Sequence, residues 1–391
     1  MFVTHLHCLR CGLATSFDPL ATLCPRCGPG DEGTDPGIFD VLYDYQAARN
    51  VFASHLVRDT QGQQTLFRFL PILPVPREPV GLLPAGGTPL VAAPRLAARV
   101  GVRALYLKDE TRNPTRCLKD RATAIAVCMA QQAGRNALYC ASAGNAAISL
   151  AGFCAHQGLT CHVFVPHGVS ATRLAWLELY GAQVSISEGP YDEAFEQAEQ
   201  AGKASGMYSR NCAFNPYLVE GKKTVAFEIA EQLGWQVPDL VVAPVGDGCT
   251  LGAAGKGFGE LIKLGMTDRL PRLLGVQAEA VQPVVQRYAG QTDSSRQRGH
   301  QTTLAASIAV RRPRNYLRLR AALAACGGMM RAVPDEEMLM AQRSLAQEAG
   351  IVAEVTSAAS LAGLMHLAAE HDLSEQRVVL IITGGRLDGY S

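Results

Sequence analysis

The chain has 391 residues, of which 48% are hydrophobic and 38 are glycine, and its formal net charge is +1. That length and apolar fraction suffice for two packed domains and a small additional module. The balanced charge gives no electrostatic basis for binding nucleic acid or an anionic membrane surface. No run of 18 apolar residues and no signal-like start is present, so no membrane association is expected. Twelve cysteines, scattered through Ala-rich segments, predict reduced thiols and a cytoplasmic protein.

In chain order, the first feature is a repeated knuckle, Cys8-Leu-Arg-Cys11-Gly and Cys24-Pro-Arg-Cys27-Gly. Two CxxC pairs at this spacing fit one structural zinc held tetrahedrally by Cys8, Cys11, Cys24 and Cys27. His5 and His7 stand nearby and are not needed as ligands. Unrelated thiols or a redox pair are the alternatives. The Gly/Asp/Pro-rich stretch 28–37 reads as a linker closing a module over 1–37. Six prolines between 68 and 89 predict an extended arm.

The stretch 106–129, YLKDETRNPTRCLKDRATAIAVCM, opens as a strand, breaks at Asn113-Pro114 and enters an amphipathic helical pattern near Asp120. Lys119 therefore sits where a loop becomes a helix. Unpaired backbone N–H groups and the positive end of a helix dipole disfavour its ammonium form and leave a more nucleophilic amine. The same residues also fit a solvated helix start.

From there the chain alternates. Helices are predicted over 120–133, 145–157, 171–180, 193–204, 222–233, 251–264, 315–325, 335–349 and 357–370. Strands are predicted over 137–141, 160–165, 183–187, 207–209, 240–245, 273–277 and 378–382. This alternation implies an α/β fold of βαβ units with parallel-type sheets flanked by helices. Ligands in such folds lie at the C-terminal ends of strands. Three strand-to-helix loops carry polar groups there: Ser142-Ala143-Gly144-Asn145, Gly246-Asp247-Gly248-Cys249-Thr250, and Thr383-Gly384-Gly385. With Lys119 they supply an amine, a partner for a phenolic oxygen, a phosphate cradle and a neutral hydroxyl. That set matches the functional groups of pyridoxal phosphate.

These residues, with Asn113-Pro-Thr, Lys119-Asp-Arg121, Asn215-Pro, Glu220-Gly221, Leu274-Gly-Val-Gln277, Gly350-Ile-Val-Ala-Glu354 and the Cys₄ knuckle, resemble the threonine synthase family of fold type II pyridoxal-phosphate enzymes. The likeness runs over nearly the whole chain. It implies a two-domain body: 38–121 as arm and first part of a large domain, 122–215 as a smaller α/β domain, and 216–391 as the rest of the large one. It implies that Lys119 anchors the cofactor and abstracts the α-proton. Asn145 would bond the ring's phenolic oxygen, and Gly246, Asp247, Gly248, Cys249 and Thr250 would hold the phosphate. Thr383 would face the pyridine nitrogen, while Ser142, Ala143 and Gly144 would meet the amino-acid substrate. It further implies a homodimer.

The chain departs from the family pattern on the substrate side. Arg116-Cys117-Leu118 replaces Gly-Ser-Phe, Leu218 replaces a phosphate-holding arginine, Ala143 replaces Ser or Thr, and the terminal loop is shortened. Cys249 replaces a glycine, which requires a negative φ there. Arg116 is the expected substitute cation for an anionic substrate group, with Arg386 as a second choice. An ion pair of Arg116 with Asp109, Glu110 or Asp120 is its structural alternative. The expected reaction is conversion of O-phosphohomoserine and water to threonine and phosphate. The alternatives are elimination or replacement on another amino acid, of serine/threonine dehydratase, diaminopropionate ammonia-lyase or cysteate synthase type, and a non-catalytic binding protein of the same fold.

Overall fold

A computed structural model describes residues 1–31, 34–58, 64–77, 79–189, 191–291 and 302–385. The chain begins with β1 (Val3–Cys8), β2 (Ala14–Thr15), β3 (Phe39–Tyr43), α1 (Tyr45–Arg58), β4 (Leu90–Ala92), α2 (Pro94–Val100) and β5 (Ala104–Asp109). It continues through α3 (Lys119–Gln132), β6 (Ala137–Ala141), α4 (Asn145–Gln157), β7 (Thr160–Val165), α5 (Ala171–Leu179), β8 (Gln183–Ile186), α6 (Tyr191–Ala204) and β9 (Tyr208–Ser209). Then follow α7 (Tyr217–Gln232), β10 (Leu240–Pro244), α8 (Cys249–Lys263), β11 (Arg272–Ala278) and α9 (Pro283–Tyr288). The last elements are α10 (Tyr316–Cys326), β12 (Met329–Val333), α11 (Asp335–Ala349), α12 (Val355–Glu370) and β13 (Arg377–Ile382).

These elements form two compact units. Unit 1 comprises Met1–Gly87 and Asn113–Thr224, and unit 2 comprises Thr88–Arg112 and Val225–Leu387. The chain changes unit after Gly87, Arg112 and Thr224, where the sequence reading sets boundaries at 37, 121 and 215. The N-terminal module groups with unit 1.

Unit 1 holds a parallel sheet in the order β8-β7-β6-β9 and an antiparallel sheet in the order β2-β1-β3. Unit 2 holds a six-stranded sheet in the order β12-β11-β10-β13-β5-β4, parallel except for β4 on its edge. Its central strands, Leu-Val-Val-Ala-Pro and Val-Val-Leu-Ile-Ile, are buried on both faces. A sheet covered by helices on both sides requires such continuous apolar runs. Leu361, Leu364 and Leu367 of α12 pack into the same core.

Two expectations are corrected. The stretch 68–89 is not extended throughout: Leu66–Ile72 forms a 3-10 helix with Pro71 inside it and Thr65 capping the Phe67 N–H at 3.3 Å. Its Phe69 stacks on Phe52 of α1 at 6.2 Å, so apolar burial folds a segment whose prolines forbid only longer helices. The described residues of the 28–37 stretch are no loose linker either. The Cys24 N–H bonds the Gly37 carbonyl at 2.8 Å and the Gly37 N–H bonds the Gly28 carbonyl at 2.9 Å, folding them back on the knuckle. Among the described residues, no helix is long and apolar enough to cross a membrane.

Candidate active site

Lys119 opens α3 in unit 1, after the turn Asn113-Pro-Thr-Arg116 closed by an Arg116 N–H bond to the Asn113 carbonyl at 2.8 Å. The fully buried Asp120 holds this turn, accepting from the Thr115 N–H at 2.6 Å and from its hydroxyl. Burial lowers the pKa of the Lys119 amine, and the Lys222 and Arg210 cations lower it further; Cys212 opposes them. The helix start predicted from sequence is present, and the main force on the amine is desolvation with nearby like charge.

Arg210 is 1% exposed. It donates to the Lys119 carbonyl at 3.1 Å, to Thr123 Oγ1 at 3.1 Å and to Cys212 Sγ at 3.2 Å. Lys222 Nζ also contacts Cys212 Sγ, at 3.1 Å. Gly221 lets α7 approach α3: a Cβ there would stand 2.0 Å from the Arg121 carbonyl oxygen. Sequence reasoning passed over Arg210, Cys212 and Lys222. For Arg210 and Cys212 the signal was their position just beyond β9, the same strand-end rule that selected the other loops; Lys222, inside α7, carried no such signal.

Asn145 is the first residue of α4 and is buried. Its carbonyl lies 3.8 Å from Cys117 Sγ, so the Lys119 turn and the Asn145 loop meet within unit 1. Ser142 Oγ accepts from the Gly144 N–H at 3.1 Å. Ser142, Ala143 and Gly144 remain half-exposed, with nothing within 4 Å of a Cβ placed on Gly144. Arg116 is exposed, adopts φ +64°, and makes no ion pair among the described residues.

In unit 2, β10 leads through Gly246, Asp247 and Gly248 into α8. Gly248 adopts φ +90°, a conformation glycine takes without strain, and a Cβ there would come within 3.0 Å of the Asn315 carbonyl oxygen. Cys249 is helical with negative φ, as its substitution for glycine requires. Asp247 braces the turn by accepting from the Arg314 N–H, and its carbonyl accepts from the Asn315 N–H at 3.0 Å. The first N–H groups of α8 and the buried Thr250 thus end in a fixed, glycine-shaped cradle suited to a phosphate.

Thr383 follows β13, and its hydroxyl lies 3.0 Å from Ser357 Oγ. Ser357 is fully buried and also bonds the N–H and carbonyl of Gly384. It is a fourth residue missed in sequence, where it reads only as the first turn of a helix. Lys108, the other lysine of the 106–129 stretch, is fully buried and donates to the Thr88 carbonyl at 2.6 Å, Glu228 at 2.7 Å and Gln232 at 2.8 Å. Those bonds make it a structural ion pair. Arg386 lies outside the described residues.

The thiols of Cys8, Cys11, Cys24 and Cys27 all lie within 4.8 Å of one another. Cys11 and Cys24 sulfurs are 3.7 Å apart, and those of Cys8 and Cys27 are 4.0 Å apart. Zinc–sulfur bonds of about 2.3 Å place tetrahedral sulfurs roughly 3.8 Å apart, so the donor set fits zinc.

A lysine with a depressed pKa at a helix start, a glycine-shaped phosphate cradle and a neutral hydroxyl at a strand end are the groups a pyridoxal-phosphate enzyme needs. The family model described as pyridoxal-phosphate dependent enzyme matches residues 82–384. Threonine synthases from Methanocaldococcus jannaschii and Methanosarcina acetivorans are each 36% identical to this chain, over 96% and 98% of it and 91% of each relative. That of Synechocystis is 38% identical over 82% of this chain and 81% of its own. The fold is shared with maize serine racemase (TM-score 0.66, 18% identity, 77% of this chain and 89% of that one). It is shared too with the processed form of threonine deaminase isoform 2 from Solanum lycopersicum (TM-score 0.65, 18% identity, 96% of each chain). The chain belongs to the threonine synthase family of pyridoxal-phosphate-dependent lyases.

Proposed function

We propose that this enzyme converts O-phosphohomoserine and water to threonine and phosphate. The observation that carries the reading is Lys119 at the start of α3, its carbonyl bonded by the buried Arg210 at 3.1 Å, in a chain of the threonine synthase family; burial beside Lys222 and Arg210 favours the neutral amine. Bound pyridoxal phosphate would supply an electron-withdrawing ring conjugated to the substrate's α-carbon. Lys119 would anchor it and, once released by the substrate's amine, take the α-proton. The α8 N-terminus with Gly246, Asp247, Gly248, Cys249 and Thr250 would hold the phosphate, and Asn145 the phenolic oxygen. Thr383, backed by Ser357, would present a hydroxyl to the ring nitrogen. A hydroxyl there does not stabilise a protonated ring nitrogen, which suits reactions that quickly expel a leaving group.

Ser142, Ala143 and Gly144 would receive the substrate carboxylate, and Arg116 an anionic substrate group. Its exposure and its φ of +64°, a conformation costly for a side-chain-bearing residue, support a functional reason for the position. The four thiolates would hold one structural zinc, with no coordination position left for substrate. The enzyme would act in the cytoplasm as a homodimer. Size-exclusion chromatography with light scattering tests the dimer.

A second reading, elimination or replacement on another amino acid, is favoured by Leu218. It is fully buried where the family places a phosphate-holding arginine, and an apolar side chain cannot meet that anion. A substrate panel separates the two. Stoichiometric release of phosphate and threonine from O-phosphohomoserine supports the first. Keto-acid release from serine, threonine or diaminopropionate, with phosphohomoserine inert, overturns it.

A further inference from the structure

Beyond β9, two cations of unit 1 converge on one sulfur. Arg210 Nη1 donates to Cys212 Sγ at 3.2 Å, and Lys222 Nζ reaches the same atom at 3.1 Å. Both donors are 1% exposed, while Cys212 is half-buried. The proposed reaction gives this sulfur no part. Yet a guanidinium stays charged wherever it is buried, and cations held together out of water need an anion beside them.

The neighbours decide which group supplies it. The other bonds of Arg210 run to neutral oxygens, the Lys119 carbonyl and Thr123 Oγ1. The charges that bear most on Arg210 are those of three thiols: Cys212, Cys140 of β6 and Cys117 of the turn before α3. Burial pushes the Cys140 thiol up to about 12, so it stays protonated at neutral pH. Cys117 is fully buried, its sulfur 4.0 Å from Asp120 Oδ1 and 3.8 Å from the Asn145 carbonyl. Two acceptors there, one of them anionic, favour its S–H form. Cys212 remains, facing two cations, the setting in which a thiol ionises well below its usual value of about 8.5.

We infer, on the reading that Lys119 anchors the cofactor, that Cys212 carries a thiolate and is a positioning residue for the reaction. Its charge holds Arg210 and Lys222 together, and Arg210 in turn holds the Lys119 carbonyl. Burial lowers the Lys119 pKa, as do Lys222 and Arg210, while Cys212 opposes them. Loss of the thiolate therefore lowers that pKa again.

The test compares the parent holoenzyme with Cys212→Ser, which removes the charge, and Cys212→Asp, which restores it. The difference in far-ultraviolet thiolate absorbance between the parent and Cys212→Ser is expected to show one additional thiolate at neutral pH, titrating below about 7.5. In the Lys222→Met background that midpoint is expected to rise by about 1–3 units. Alkylation of the parent by iodoacetamide, resolved by peptide mapping, is expected to give the same midpoint at Cys212 without any substitution. The acid limb of kcat/KM is expected to move to lower pH in Cys212→Ser and to return in Cys212→Asp. Absence of the added thiolate, or a midpoint at Cys212 of about 8.5 or higher, overturns the proposal. So does an acid limb that stays in place in Cys212→Ser, or one that Cys212→Asp fails to restore. Covalent cofactor attachment retained in Lys119→Met would instead defeat the Lys119 reading, and would leave the thiolate measurement standing.

Discussion

Arg210 donates from Nη2 to the backbone carbonyl of Lys119 at 3.1 Å, and from Nε to Thr123 Oγ1, one turn further along α3, also at 3.1 Å. One buried guanidinium thus pins the helix turn from which the Lys119 amine projects. Its charge joins that of Lys222 in disfavouring the ammonium form. A rigid fork is needed to reach both oxygens at once, so the residue that fixes the turn also adds to a lowering of the amine's pKa that burial and Lys222 dominate.

Lys119→Met should abolish borohydride-reducible cofactor attachment and turnover while leaving the protein folded. The native amine's pKa lies below its unfolded value, so between the two the unfolded chain binds the extra proton and Lys119 subtracts stability. Melting curves of the apoprotein should show the variant more stable at neutral pH, with the gain shrinking as pH approaches about 10.4. Retained covalent attachment would place the anchor on another lysine.

Lys222→Met removes the charge that most lowers the Lys119 pKa after burial, so that pKa should rise. The acid limb of kcat/KM, and of cofactor uptake by the apoprotein, should then move to higher pH. An unmoved limb would assign it to another group.

Gly221→Ala should destabilise by about 1–3 kcal/mol, the usual range for overpacking, because the added Cβ would meet the Arg121 carbonyl at 2.0 Å. A lowered urea midpoint with an unchanged denaturant slope is the expected signature.

Arg116→Gly relieves a left-handed backbone that costs a side-chain-bearing residue about 1–2 kcal/mol, partly offset by glycine's entropy. A net gain of about 1 kcal/mol is expected, with a raised KM if the guanidinium grips substrate. Arg116→Lys, which keeps the charge and loses the fork, should raise KM with little change in stability. Unchanged KM in both variants would remove Arg116 from substrate binding.

Metal analysis should find one zinc per chain, lost in Cys24→Ser. Removal should lower the melting temperature and leave kcat nearly unchanged, because the four thiols converge on one another within the N-terminal module.

Much of this was written locally. The helix Asn145–Gln157, the strand Thr160–Val165 and the helix Asp335–Ala349 match the periodicity reading residue for residue, since apolar spacing is set by neighbours within a turn or along a strand. The Cys₄ knuckle and the Gly248 turn were legible too, because sulfur spacing and a left-handed glycine are local requirements. The helix Tyr45–Arg58 and the turn Leu66–Ile72 were not, because they gain order from each other through Phe52 and Phe69.

The sequence by itself determined the alternating α/β architecture, the lysine at a helix start and the loops that follow the strands. The tertiary structure alone decided what surrounds that lysine. Arg210 stands 91 residues from Lys119 yet bonds its carbonyl, and Lys108, in the same stretch as Lys119, is buried in bonds to Glu228 and Gln232. Such pairings depend on which helices cross and where a glycine lets them approach, as Gly221 does at Arg121. Hydrophobic periodicity carries no record of that crossing. The pKa of a buried amine is set by charges that only the crossing brings near.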